Sequence, residues 1–227
     1  MKKLLLASVS AGLVGAASMS SAATLDFEQF DEGEVLGAGT VLGGGIVADI
    51  SAIGGVAQAV VFDTAEDTDS TDNDPDLETS FTNAEDEDDV RDFGNSLIVQ
   101  ENDSGGPDDN GTGGTLIFEF MKLISLSSVY LLDAEEETTA TLYRDGNIVL
   151  SFTLDETNES DTNNNPNNNE FTFLDFGDAR GDELVVTFAR SGAVGELEAS
   201  IVPVPAGLPL LLGGIGAFAW VKRRKRA

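Results

Sequence analysis

The sequence predicts an all-β fold, an antiparallel β-sandwich of the jelly-roll kind, followed by one C-terminal transmembrane helix. About ten short segments alternate apolar and polar residues with period two, as in TLIFEF (115–120) and ELVVTFAR (183–190). Asp145-Gly146 stands between two such segments, which is a strong hairpin signal. No sustained helical period occurs between residues 24 and 200.

The predicted strands can be followed in chain order. The first four are ATLDFE (23–28), GIVADISA (45–52), AQAVVFDT (57–64) and NSLIVQE (95–101). After TLIFEF come SSVYLLD (127–133), TTATLY (138–143), NIVLSFTL (147–154), EFTFLDF (170–176) and ELVVTFAR. The glycine-rich stretch 37–45 precedes no helix, so we read it as a loop or a glycine-laced strand. The alternating apolar residues predict the core: Leu116, Phe118, Phe120, Ile148, Leu150, Phe152, Leu154, Leu184, Val186 and Phe188.

Three polar insertions interrupt the strands. They span residues 63–89, 101–114 and 155–170, and they are rich in Asp, Asn, Gly and Pro. This composition predicts loops. The third contains a run of Asn around Pro166 and is of low complexity.

Charge is distributed very unevenly along the chain. Residues 24–200 contain all 41 acidic residues and only five bases, which leaves a net charge of −36. Such a body repels nucleic acid, because nucleic-acid binding depends on neutralising phosphates. The chain has no Cys and no His. Disulfides, Ser-His or Cys-His catalysis and most zinc sites are therefore excluded.

The N-terminus has the three parts of a secretory signal peptide. Lys2 and Lys3 precede an apolar stretch, and the small residues Ser21 and Ala23 stand at positions −3 and −1 of a cut before Thr24. We therefore expect residues 1–23 to be removed on export. The alternative is an N-terminal membrane anchor, for which the apolar run is short.

The C-terminus, residues 201–227, has a different order of parts. Pro203–Val221 is an uncharged stretch of 19 residues, close to the roughly 20 that span a bilayer. Basic residues follow at once and favour the cytoplasmic side: Lys222, Arg223, Arg224, Lys225 and Arg226. These features predict a single-pass inner-membrane precursor whose body lies outside the cytoplasm.

The tail resembles the VPLPA-CTERM class of the bacterial PEP-CTERM sorting signals. The matching motif is Val202, Pro203, Val204, Pro205 and Ala206, with Val204 where that class has Leu. The resemblance implies recognition by an exosortase, a membrane-embedded cysteine transpeptidase. It also implies cleavage near the motif, with release of the body or its attachment to the cell surface or extracellular matrix. The alternative is a tail anchor that is never cut.

The acidic loops contain the chain's one site-like pattern. Carboxylates separated by single residues can converge on calcium, which takes about six to eight oxygen ligands. We expect the ligands at loop positions that flank strand ends: Asp74, Asp76, Glu101, Asn102 and Asp103. An EF-hand is excluded because Asp72 replaces its glycine and no helices flank the loop. The alternative is a set of solvated loop acids.

The sequence thus divides into a signal peptide (1–23), an acidic β-sandwich (24–200) and a sorting signal (201–227). The strand order of 114–201 is similar to galactose-binding-like and other carbohydrate-binding modules of secreted proteins, which implies a ligand role. We expect a non-enzymatic protein of the cell envelope or matrix, in contact with extracellular polysaccharide. The alternatives are a carbohydrate-binding module, against which the scarcity of Tyr and Trp weighs, and a glycan-active hydrolase, which needs two paired carboxylates.

Overall fold

The computed structural model describes residues 22–65, 77, 80–84, 86–103, 106–154 and 170–203. They form 13 strands and one 3₁₀ turn, Gly43–Gly45, which confirms the predicted all-β class. Among the described residues every strand pairing is antiparallel except that of β6 with β12. The strands are β1 (Ala23–Leu25), β2 (Val35–Leu36), β3 (Thr40–Val41), β4 (Val47–Ile53), β5 (Ala59–Asp63), β6 (Phe81–Asn83), β7 (Asp86–Arg91), β8 (Asn95–Val99), β9 (Gly114–Leu132), β10 (Thr139–Arg144), β11 (Asn147–Thr153), β12 (Glu170–Phe188) and β13 (Ala193–Ile201).

Two long strands, β9 and β12, organise the body. Each has 19 residues and contains two of the predicted strands, so the prediction of four separate strands there is wrong. The register of β12 against β9 shifts between Asp175 and Ala179 and again between Gly181 and Glu183. Such bulges bend a strand without ending it, and the polar sequence between the predicted strands marks the bend rather than a turn.

Each half of the long strands belongs to a different part of the sheet. The first half of β9 pairs with β4 on one side and with the last half of β12 on the other. That half of β12 also pairs with β10, and β10 pairs with β11. The second half of β9 pairs with the first half of β12 on one side and with β13 on the other. Beyond β13 the sheet order is β8, β5 and β2, each paired with the strand before it. One apolar core contains buried residues from both halves, such as Phe118 and Leu197. The body is therefore β-sandwich-like.

Most of the predicted core residues are buried. Those with at most 6% exposure are Leu116, Phe118, Phe120, Leu154, Leu184, Val186 and Phe188. Leu150 and Phe152 are partly buried and pack against the same core. Ile148 is 65% exposed, so its prediction is wrong. It lies on the edge strand β11, and a register shift between Leu142 and Tyr143 interrupts the pairing of β10 with β11 next to it.

The acidic insertion 63–89 is not entirely a loop, in contrast to the prediction. It contains β6 and most of β7, which pair with each other, and β6 also pairs with β12. Buried Leu77 and Phe81 belong to a second core with Tyr130 and Phe171. This second core explains why residues 128–132 of β9 are all buried, since both faces of the strand are covered there.

The described residues of the predicted 101–114 loop are irregular up to residue 113, with one isolated bridge between Gln100 and Asp109, and Gly114 begins β9. Residues 155–169 of the third insertion lie outside the described residues. So does the predicted membrane span apart from Pro203, and no helix in the described ranges is long and apolar enough to cross a membrane. The two ends of the described body meet, because β1 pairs with β13 with Ala23 opposite Ala199 and Thr24 opposite Glu198.

Candidate functional site

The structure brings together only part of the predicted calcium ligands. Asp74 and Asp76 lie outside the described residues. Glu101 and Asn102 lie directly after β8, and the Asn102 amide donates to Glu101 Oε2 at 3.3 Å and to Asp108 Oδ2 at 3.4 Å. Asp103 is exposed. Within the described part of the chain, no group of three or more carboxylates is arranged to hold a metal ion.

Asp108 is the residue of this loop that sequence reasoning did not select. Partial burial raises the pKa of its carboxyl, and the negative charges of Glu101 and Asp109 raise it further. Its backbone N–H donates to Gln100 Oε1 at 3.2 Å. The proximity of Glu101 and Asp108 depends on how the loop folds back, which residue spacing alone does not reveal.

A buried carboxylate fixes the loop to the rest of the body. Asp109 is 6% exposed and accepts hydrogen bonds from Ser191 Oγ at 2.6 Å and from the backbone N–H of Gly192. Asn110, also buried, donates to the Gly113 carbonyl at 2.6 Å and accepts from the Thr112 hydroxyl at 2.8 Å. The buried polar groups of this loop thus have partners, and these contacts give Asp109 and Asn110 a structural role.

A pocket opens beside the β6–β7 hairpin. It has a volume of about 190 Å³ and is lined by Asn83, Ala84, Arg91, Tyr130, Phe171, Thr172 and Phe173. We call it the Arg91 pocket. The last residue of β7 thus forms one wall, and strands β9 and β12 form another.

Arg91 lies over two aromatic rings. Its guanidinium carbon is 5.0 Å from the Tyr130 ring centroid and 5.3 Å from that of Phe171, within the range of cation–π attraction. Nε and Nη2 of Arg91 donate to the Asp89 carboxylate at 3.3 and 3.4 Å. These hydrogen bonds, with one to Tyr130, raise the pKa of Arg91.

Asn83 completes the polar edge of the pocket. Its amide donates to Asp89 Oδ2 at 3.2 Å. That hydrogen bond, followed by the one from Arg91, lowers the pKa of the Asp89 carboxyl. Asp89 therefore orients two donors at the pocket edge, one from each strand of the hairpin.

Two of the lining residues, Phe173 and Tyr130, lie in register on neighbouring strands, and Glu196, which is not a lining residue, is next in register. Phe173 of β12 is opposite Tyr130 of β9, and Tyr130 is opposite Glu196 of β13. The rings of Phe173 and Tyr130 are 5.1 Å apart between centroids, and Phe173 is 45% exposed. Alternation in EFTFLDF places Phe171 and Phe173 on one face, but it does not reveal that the hairpin covers only Phe171.

Comparison with known proteins assigns no family to the chain. No family model and no curated protein matches the chain. A fucose binding module from Streptococcus pneumoniae has a TM-score of 0.27 at 16% identity, over 41% of this chain and 67% of that one. A second structure of such a module from the same species has a TM-score of 0.26 at 12% identity, over 42% and 69%. These TM-scores are too low to assign a fold family or a ligand.

Proposed function

We propose that this chain is an exported, membrane-sorted protein of the cell envelope or extracellular matrix with a non-enzymatic body. The observation that carries the proposal is the order of parts in the tail: the Val202–Ala206 motif, an uncharged stretch to Val221, then five bases. The signal-like N-terminus adds support, since together the two ends give export followed by retention. The sorting partner is an exosortase-type enzyme at the inner membrane.

The body in this proposal is a sandwich of the jelly-roll kind, followed by a transmembrane helix over residues 203–221. Support for the jelly roll comes from β9 and β12, each of which contributes to both halves of the sheet. We also propose that calcium binds among Asp74, Asp76 and the 101–103 segment. In support of this proposal, the Asn102 amide contacts carboxylate oxygens of both Glu101 and Asp108, so these oxygens lie close together beside the 101–103 segment.

Binding, rather than hydrolysis, suits the Arg91 pocket. Hydrolysis of a glycoside uses two carboxylates that flank the bond, and the residues lining this pocket include none. A carbohydrate-binding module is therefore the second candidate function. It is favoured by the exposed Phe173 beside Tyr130 and by the amide and guanidinium groups at the pocket edge.

The sorting proposal is tested in a host that contains an exosortase. We expect the surface form to begin at Thr24 and to lack the peptide that contains Trp220, as measured by mass spectrometry. Replacing both Pro203 and Pro205 with Ala should leave a full-length protein in the inner membrane. Released wild-type protein that still contains Trp220 would show that the tail is not a cleaved sorting signal.

A further inference from the structure

We infer that the Arg91 pocket binds one neutral sugar ring, with the exposed ring of Phe173 under the sugar and Arg91 and Asn83 at its hydroxyl groups. This inference deepens the second candidate function and rests on it. It specifies the place, the size of the ligand and the charge of the ligand, none of which a general carbohydrate-binding role determines.

The floor of the pocket suits the face of a sugar. Phe173 keeps 45% exposure although it lies within strand β12, and its ring is 5.1 Å from that of Tyr130 in the second core. A large exposed aromatic residue next to a pocket is an informative departure from burial. One face of a pyranose presents C–H groups, which match the apolar, electron-rich face of an aromatic ring.

The edge of the pocket suits sugar hydroxyl groups. A guanidinium has more N–H donors than Asp89 and Tyr130 engage, and their positions are fixed by the stacking on Tyr130 and Phe171. Asp89 holds the Asn83 amide beside it. A few oriented polar groups around an apolar floor are what confers specificity in small-molecule sites.

The charges around Arg91 favour a neutral ligand. The carboxylate of Asp89 already neutralises Arg91 at hydrogen-bond distance. Glu196 lies in register beside Tyr130 and interacts electrostatically with Arg91. An acidic sugar would have to displace Asp89 and approach a body with a net charge of −36.

The volume limits the ligand to one ring. At about 190 Å³ the pocket is smaller than the roughly 300–1,000 Å³ of sites for drug-sized molecules. We therefore expect recognition of a single residue of a glycan, with the remainder of the chain outside the pocket.

The experiment uses the full chain in a detergent without a sugar headgroup and saturation-transfer NMR with methyl glycosides. The neutral panel is glucose, galactose, mannose, fucose and N-acetylglucosamine, and the acidic panel is glucuronic and galacturonic acid. We expect at least one neutral glycoside to bind with a Kd of about 1 mM or tighter and to receive saturation mainly through its C–H groups, as stacking on Phe173 requires. Each uronic acid should bind at least tenfold more weakly than its neutral counterpart.

Two variants test the site itself. Phe173→Ala and Arg91→Met should each weaken binding at least tenfold, while Ile148→Ala, which removes an exposed apolar side chain on β11, should leave it unchanged. Unchanged melting curves will show that the variants are folded. Failure of all neutral glycosides to bind, tighter binding of the uronic acids, or binding that survives both variants overturns the inference. If both variants still bind whole polysaccharide, glycan binding occurs elsewhere and the carbohydrate-binding candidate stands without this pocket.

Discussion

At the scale of single residues, Gly181 shows how one position permits the bend of a long strand. It is buried in β12 at the second register shift, opposite Ile124 of β9. A Cβ atom added there would lie 2.5 Å from the Tyr143 carbonyl oxygen and 2.5 Å from Leu142 Cδ1. Glycine is needed at this position for close approach of the neighbouring strand rather than for a positive φ.

We expect Gly181→Ala to lower the free energy of unfolding by about 1–3 kcal/mol, the usual cost of overpacking. The backbone carbonyl of Tyr143 cannot rotate away as a side-chain end can. Gly37→Ala is the matched control, because nothing lies within 4 Å of its added Cβ. Urea unfolding measures both variants, and equal midpoints would contradict the steric argument.

Glu196 gives a prediction for pH. Burial raises the pKa of its carboxyl, with further increases from Glu198 and Asp26, while Arg91 opposes them. Because the pKa is higher in the folded state, the folded chain binds the proton more tightly than the unfolded chain. The stability that this proton provides is complete below the unfolded pKa and is lost as pH rises through the folded pKa.

Glu196→Gln should therefore raise the melting temperature at pH 7, because it removes a carboxylate that is costly to ionise. The advantage should shrink as pH falls through the acidic range, where the wild-type carboxyl becomes protonated. Thermal unfolding from pH 7 to pH 4 measures this difference. A gain that stays constant across that range would indicate that packing, rather than charge, causes it.

At the scale of elements, strand β7 shows what period-two reasoning does not detect. Its sequence, DEDDVR, has no apolar face, yet it pairs with β6 through backbone groups. The buried side chains that hold the hairpin are Leu77, which precedes β6, and Phe81 within it. Alternation predicts strands that bury a face, whereas an outer strand made of acids needs only a partner for its hydrogen bonds.

Sequence patterns likewise predicted the strands and the loop around the candidate site but not how its side chains come together. Alternation predicted the faces of β9 and β12, and loop composition predicted a loop over residues 101–114, of which Gly114 instead begins β9. Whether Phe173 stays exposed depends on where the β6–β7 hairpin ends, which is a tertiary property. The approach of Asp108 to Glu101 likewise depends on the path of the loop.

The centre and the edge of the sheet should respond unequally to truncation of an apolar side chain. Phe118, in β9, is fully buried in the main core, and Phe118→Ala should cost about 3–5 kcal/mol. Ile148, on the edge strand β11, is 65% exposed, and Ile148→Ala should change stability by less than about 0.5 kcal/mol. Urea unfolding distinguishes the two. A large loss at Ile148 would mean that residues outside the described ranges cover this edge.

At the scale of the whole molecule, a net charge of −36 on the body is the dominant feature. Five bases cannot balance it, and the ion pairs of Arg91, Arg144 and Arg190 lie at the surface, where each contributes little. Self-repulsion lowers the stability of the compact state. Salt should relieve that repulsion, since the screening length falls from about 30 Å at 0.01 M to about 8 Å at 0.15 M.

Calcium bound at the proposed loop site should stabilise the body more than general screening of its charges does. A ligand present at about 100 times its Kd adds roughly 2.7 kcal/mol, which raises the melting temperature of a body of this size by several degrees. Millimolar calcium is compared with magnesium at matched ionic strength. The larger rise in melting temperature with calcium should disappear in the double variant Asp74→Ala/Asp76→Ala. Equal rises with calcium and magnesium would mean that the acidic side chains are only solvated.

The pairing of β1 with β13 sets the order in which the chain can fold during its synthesis. Among the described strands, the first to be synthesised has the last as its partner, with Leu25 opposite Leu197. Closing this pair brings together residues separated by almost the entire body, which is slow because the loop entropy must be overcome first. If the chain is exported as proposed, β1 remains unpaired outside the membrane until β13 has also crossed it. Protection of β1 amides from hydrogen exchange should therefore appear only after translocation is complete.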